Sequence, residues 1–162
     1  MKQQLIEDIK SGLLGRLTHL EPEKVLEGLS PTVARKKPSE ETYSCWDLLY
    51  HTVFWQDILL KNINGEVIDW SKIEAKNNWP SAVHLTKDAN FKDLTEKFYE
   101  NIKNAGNILE KVDLGKGVKI GPEHTPEVSN FRLFLVFLQH TSYHLGQIVT
   151  VRKFLEDWKQ KT

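Results

Sequence analysis

Residues 130–158 read NFRLFLVFLQHTSYHLGQIVTVRKFLEDW, and the apolar spacing in this stretch decides the fold class. Leu133, Phe137, Ile148, Val151 and Leu155 are separated by three, four or eleven residues, whole turns of an α-helix. His140 and His144 fill the gap in that stripe, one turn apart on the same face. The stretch therefore predicts a long helix whose core-facing side carries two imidazoles.

Three more segments show helical periodicity. The first covers residues 2–20, with Leu5, Ile9, Leu13 and Leu17 spaced by four. A short apolar-spaced stretch at 25–29 adds a turn before Ser30-Pro31. The second helix covers 44–62, with Ser44 and Asp47 three residues apart as a near capping box and Asn64-Gly65 as the stop. The third covers 86–112, with Phe91, Leu94, Phe98, Ile102 and Leu109 on its apolar side. Residues 118–120 could pair briefly as a strand. The expectation is one all-α domain over residues 1–162, a four-helix bundle with the stripes facing a common core. Its first two connections each run to ~20 residues, longer than tight-turn topology requires and long enough to cross the bundle. The second carries Trp70 and Trp79, which suggests a lid that packs over the core.

Composition excludes more than it assigns. The 22 Lys+Arg balance 22 Asp+Glu, so the electrostatic footprint of a nucleic-acid binder is missing. No uncharged apolar run reaches membrane-spanning length, and charges interrupt the N-terminus too often for a signal peptide. A single cysteine, Cys45, makes no internal disulfide and reads as structural. These features predict a soluble, cytoplasmic protein with neither nucleic acid nor membrane as partner.

The six histidines carry the chemical information. Buried imidazoles without partners leave polar nitrogens unsatisfied, which is costly, and a shared cation would satisfy His140 and His144 together. Spacing by four does not by itself separate a metal pair from two packed, hydrogen-bonded histidines. The pair is also not the zinc-peptidase HExxH, because Thr141 stands where the general-base glutamate would be. His51 adds weight: it lies on the stripe of Leu48, Trp55 and Ile58, making a third core-facing histidine on a different helix. Asp47, one turn earlier, could hold the second ring nitrogen of His51 or simply cap the helix. His19, at the expected end of the first helix, and His84 and His124, in proline-containing connections, read as surface residues.

Taken in order, SCWDLLYHTVFWQ at 44–56 and QHTSYHLGQIVTVRKFL at 139–155 resemble the DinB-like superfamily, also called YfiT-like metalloenzymes. The shared pattern is a histidine on the second helix, here His51, and HxxxH followed by Gly-Gln on the fourth, here His140, His144, Gly146 and Gln147. The resemblance implies an up-down-down-up four-helix bundle, a divalent metal held by His51, His140 and His144, and often a homodimer. Zinc or nickel comes first among the metals, with iron and manganese also compatible with imidazole. Some members resemble transferases or isomerases that use a low-molecular-weight thiol. The function expected here is thus a metal-dependent, thiol-using S-transferase acting on a small molecule, with Asp47 and Gln147 as candidates to orient the ligands. The alternative is a stress-related protein that binds a metal or small ligand without turnover.

Overall fold

The computed structural model describes residues 2–16, 18–85 and 87–158. Among them are six α-helices: α1 (Lys2–Leu13), α2 (Pro22–Leu26), α3 (Pro31–Ala34), α4 (Cys45–Ile63), α5 (Asp88–Leu109) and α6 (Asn130–Phe154). The described residues are mostly helical with very little strand, so the protein is all-α. The periodic stretch at 130–158 supplies α6, which packs most extensively against α4; α4 packs in turn on α5. The side chains of Trp46, Phe98, Phe134 and Phe137 are fully buried where α4, α5 and α6 meet, and α1 adds Ile6, Ile9 and Leu13 to the same core.

The helix ends show how local chemistry sets these lengths. Helix α4 starts as expected: the Ser44 side chain accepts from Asp47 N, and the Asp47 carboxylate accepts from Ser44 N at 2.9 Å. It stops at Gly65, whose φ of +95° is open to glycine at little cost. There Gly65 N donates to Asn62 O and Glu66 N to Lys61 O, the paired bonds of a Schellman motif.

The first helix is shorter than its periodicity predicts. It ends at Leu13 rather than residue 20, because Gly15, at φ +72°, closes the same motif through Gly15 N to Gly12 O and Arg16 N to Ser11 O. Leu17 lies outside the described residues, and Leu5 is exposed while Ile6 takes its place in the core. Helix α6 likewise stops at Phe154, four residues before Trp158. Glu156 there adopts φ 57°, and buried Arg152 holds the turn: it donates to Asp157 Oδ2 at 2.9 Å and Val25 O at 2.6 Å, with Trp158 against its guanidinium. Sequence periodicity does not register such a buried cation.

Smaller differences concern the remaining elements. Helix α5 is Asp88–Leu109 against the expected 86–112, with Thr86 outside the described residues. The short turn is Pro22–Leu26 rather than 25–29, since Pro22 suits the first helical position. The brief strand is β1 (Gly117–Val118), antiparallel to β2 (Val128–Ser129), which leaves Lys119 and Ile120 outside it. The long second connection contains three 3₁₀ turns and is tied down at Trp70, whose indole donates to the buried Asn62 Oδ1 at 2.8 Å and whose backbone N donates to Ile120 O. No helix among the described residues is long and apolar enough to cross a membrane.

Candidate metal centre

Helix α4 presents His51 and α6 presents His140 and His144, and the contact between these two helices brings the three rings together. His140 Nε2 lies 3.2 Å from His51 Nε2 and 3.1 Å from His144 Nε2. The cluster sits at the edge of the apolar core, beneath the second connection. His144 is buried, whereas His51 and His140 are half-buried, as are Trp55 and Ile58. Of the stripe expected to face the core, Leu48 is buried, whereas His51, Trp55 and Ile58 lie at the rim; Leu49, Thr52, Val53, Gln56 and Leu60 also turn inward from α4.

The outer ring nitrogens determine which atoms the cluster offers. His51 Nδ1 lies 3.0 Å from the backbone O of Asn78, and His144 Nδ1 lies 2.6 Å from Gln147 Oε1. Carbonyl oxygens only accept, so both rings carry their proton on Nδ1 and present a bare Nε2 inward. His140 Nδ1 is buried without a hydrogen-bond partner. If His140 instead carries its proton on Nε2, that one N–H faces two lone pairs. In either tautomer, proton-free nitrogens crowd one point with too few donors. A cation resolves that shortage. With metal–nitrogen bonds of ~2.0–2.1 Å, two tetrahedral ligands stand ~3.3 Å apart, close to the observed nitrogen spacings. Among the described residues this is the group of histidine, cysteine or carboxylate side chains whose ligand atoms lie close enough to share an ion, within 4.8 Å of one another. The donor set thus fits a divalent metal.

Electrostatics favour the same state. Burial, followed by the charges of His144 and His51, pushes the His140 pKa down to about 3. Burial also lowers His51 and His144. Near neutral pH all three rings are therefore uncharged, the form that binds metal.

Of the two residues considered for orienting the ligands, Gln147 meets His144 directly. Asp47 does not serve His51: its carboxylate is used in the cap of α4, with Lys37 3.7 Å away, while Asn78 O accepts the hydrogen bond from His51 Nδ1. Cys45 is fully buried, its thiol pushed up to about 12 by burial and directed at Ile148 O, so it is structural as expected. His19, His84 and His124 are exposed. His19 lies beyond the end of α1, not on it, and its ring bridges Leu20 O and Ser142 Oγ.

Sequence reasoning missed the aromatic surround. Trp79 stacks on His51 with ring centroids 4.1 Å apart, and Tyr43 stacks on the other face of Trp79 at 4.0 Å. Tyr143 meets His144 edge-on at 5.1 Å. The connection expected to be a lid over the core is in fact a wall of the cluster, supplying both Asn78 O and Trp79. Its unusual length was the available signal; a backbone carbonyl leaves none.

A family model described as the DinB superfamily matches residues 21–148. No curated protein and no solved structure matches the chain.

Proposed function

The chain belongs to the DinB superfamily, and from that premise we propose that it is a metal-dependent enzyme in which His51, His140 and His144 hold a divalent ion. The observation that carries this reading is the convergence of three Nε2 atoms, two of them kept proton-free by Asn78 O and Gln147 Oε1. Three imidazoles leave coordination positions open, the pattern of catalytic rather than structural zinc sites. Zinc or nickel is proposed first, iron or manganese next. An ion there supplies Lewis acidity that lowers the pKa of a thiol or water entering an open position.

The reaction proposed is of S-transferase type: a low-molecular-weight thiol gives up its S–H proton, its sulfur bonds to the electrophilic carbon of a small molecule, and the electron pair of the bond broken at that carbon departs with the leaving group. The thiol brings the nucleophilic sulfur, which suits a chain whose own Cys45 thiol is buried and held protonated. The chain's residues hold and orient: Gln147 and Asn78 fix the ring tautomers, and Trp79 covers the outer face of His51. The remaining parts of the proposal are one domain spanning residues 1–162, an up-down-down-up arrangement of α1, α4, α5 and α6, a homodimer, and a cytoplasmic location.

A second reading, sequestration of a metal or small ligand without turnover, has one observation in its favour. Among the described residues, no carboxylate or cysteine ligand atom joins the histidine cluster to act as a general acid or base. Metal analysis of the purified protein tests the common premise: about one divalent ion per chain is expected, and His144→Ala should remove most of it. Protein that holds no metal and takes up none on titration excludes the metal-dependent enzyme and metal sequestration alike, leaving only binding of a small ligand. Thiol consumption with a panel of electrophiles, dependent on the bound metal, then separates enzyme from binding protein.

A further inference from the structure

A second site lies away from the histidines. A cleft of about 480 Å³ runs between α1, the start of α2, and α5, within the ~300–1,000 Å³ typical of small-molecule sites. Its floor is apolar, formed by the buried Leu13 and Ile102 and the half-buried ring of Tyr99. Burial and the nearby Glu23 push the Tyr99 phenol up to about 12, so it stays a neutral hydrogen-bonding group there.

Gly106 lines the same cleft from the interior of α5. Glycine inside a helix costs ~1 kcal/mol relative to alanine, and a close neighbour or a positive φ usually accounts for it. Gly106 has neither: its φ is not positive, and nothing lies within 4 Å of where its Cβ would stand. Its missing side chain leaves the cleft open.

The rim specifies charge. Lys10 and Glu110 pair with each other and close one end. Arg16, Lys103, Glu21 and Glu23 also line the cleft, and among the described residues none of these four has an ion-pair partner within 4 Å. Two free cations and two free anions above an apolar floor complement a molecule carrying a carboxylate, an ammonium and an apolar body. A ligand of one charge sign would be repelled by half of this rim. The α5 wall from Tyr99 to Glu110 spans ~16 Å, long enough for a dipeptide.

We propose that this cleft binds a zwitterionic small molecule of amino-acid or short-peptide type, its carboxylate toward Arg16 and Lys103, its ammonium toward Glu21 and Glu23. The proposal stands independently of the metal centre. Calorimetric titration of the purified full chain with leucyl-phenylalanine tests it, with the N-acetylated, C-amidated dipeptide as comparison. Saturable binding of the zwitterion is expected, weakened about tenfold or more by capping both ends. Gly106→Leu should abolish binding by filling the cleft, whereas Gly106→Ala should retain it. Arg16→Gln and Glu23→Gln, both at exposed positions, should each weaken it by up to about fivefold. Metal content at the histidine cluster should be unchanged in every variant. The proposal is overturned if the dipeptide shows no binding up to about 10 mM, if the capped form binds equally well, or if Gly106→Leu binds like the parent.

Discussion

At the scale of single residues, the decisive feature is where each imidazole keeps its proton. Gln147 accepts from His144 Nδ1 and so frees His144 Nε2 for the cluster. Outer hydrogen-bond partners of this kind typically tune metal affinity by ~10–100-fold. Gln147→Ala should therefore lower affinity by about that factor without loss of helicity, read by competition with a chromophoric chelator; unchanged affinity would remove Gln147 from the site. The lowered histidine pKa values set a sign for stability as well. In the metal-free protein the unfolded chain takes up protons as pH falls through ~6.5, while folded His140 resists until about 3. The unfolded state then binds more protons, so this contribution to stability is fully present above ~6.5 and declines with falling pH below it. Urea midpoints of chelator-treated protein should drop between pH 7.5 and 5.5, a window in which ordinary carboxylates stay ionised (~4). His140→Leu should flatten that drop, and a midpoint that rises on acidification would contradict the sign.

At the scale of elements, glycine acts in opposite ways at two positions. Gly65 ends α4 at φ +95° with nothing within 4 Å of where a Cβ would stand, so only the backbone resists a side chain there. Gly65→Ala should cost ~1–2 kcal/mol, seen as a lower urea midpoint. Gly106 sits in regular helix with equal space around it, and Gly106→Ala should instead stabilise by ~0.5–1 kcal/mol. If both substitutions shift the midpoint in one direction, the assignment of one helix position or the other is wrong. The cap of α4 belongs to this scale too. Ser44→Ala removes the acceptor for Asp47 N and should cost ~1 kcal/mol. It should leave the His51–Asn78 bond in place, because Asp47 serves the cap and not the ring.

At the scale of the whole molecule, the histidine cluster bridges α4, α6 and the connection that carries Asn78 and Trp79. An ion held there ties these three parts of the chain together in the folded state only. Free metal at ~100-fold above its dissociation constant would stabilise the fold by ~2.7 kcal/mol, raising the melting temperature by ~5–10 °C for a domain of this size. Removing the metal with a chelator should reverse that shift, and His144→Ala should lose it. A chelator without effect on either protein would leave three satisfied histidines as the better description.

The sequence by itself located the four long helices and the three histidines that cluster, though not every helix end. Apolar residues at helical intervals in 130–158 and 44–62 placed His140 and His144 on one helix and His51 on another, because periodicity follows directly from helix geometry; that the two helices pack together is a tertiary result. Local caps such as Ser44, Asp47 and Gly65 were equally legible, since each bond spans only a few residues. Other features belong to the tertiary structure alone. The early stop at Gly15 was visible as a residue type, but Ile6 replaced Leu5 in the core only once α1 had docked. The stop of α6 depends on Arg152 reaching Val25 O, 127 residues away in the chain. The proton on His51 is fixed by the carbonyl of Asn78, and its outer face by Trp79. A backbone oxygen has no sequence signature, and nothing local ties residue 78 to residue 51. Which nitrogen of His51 faces the cluster is therefore decided by how the chain crosses over the helices, after the residue types have already made a metal site possible.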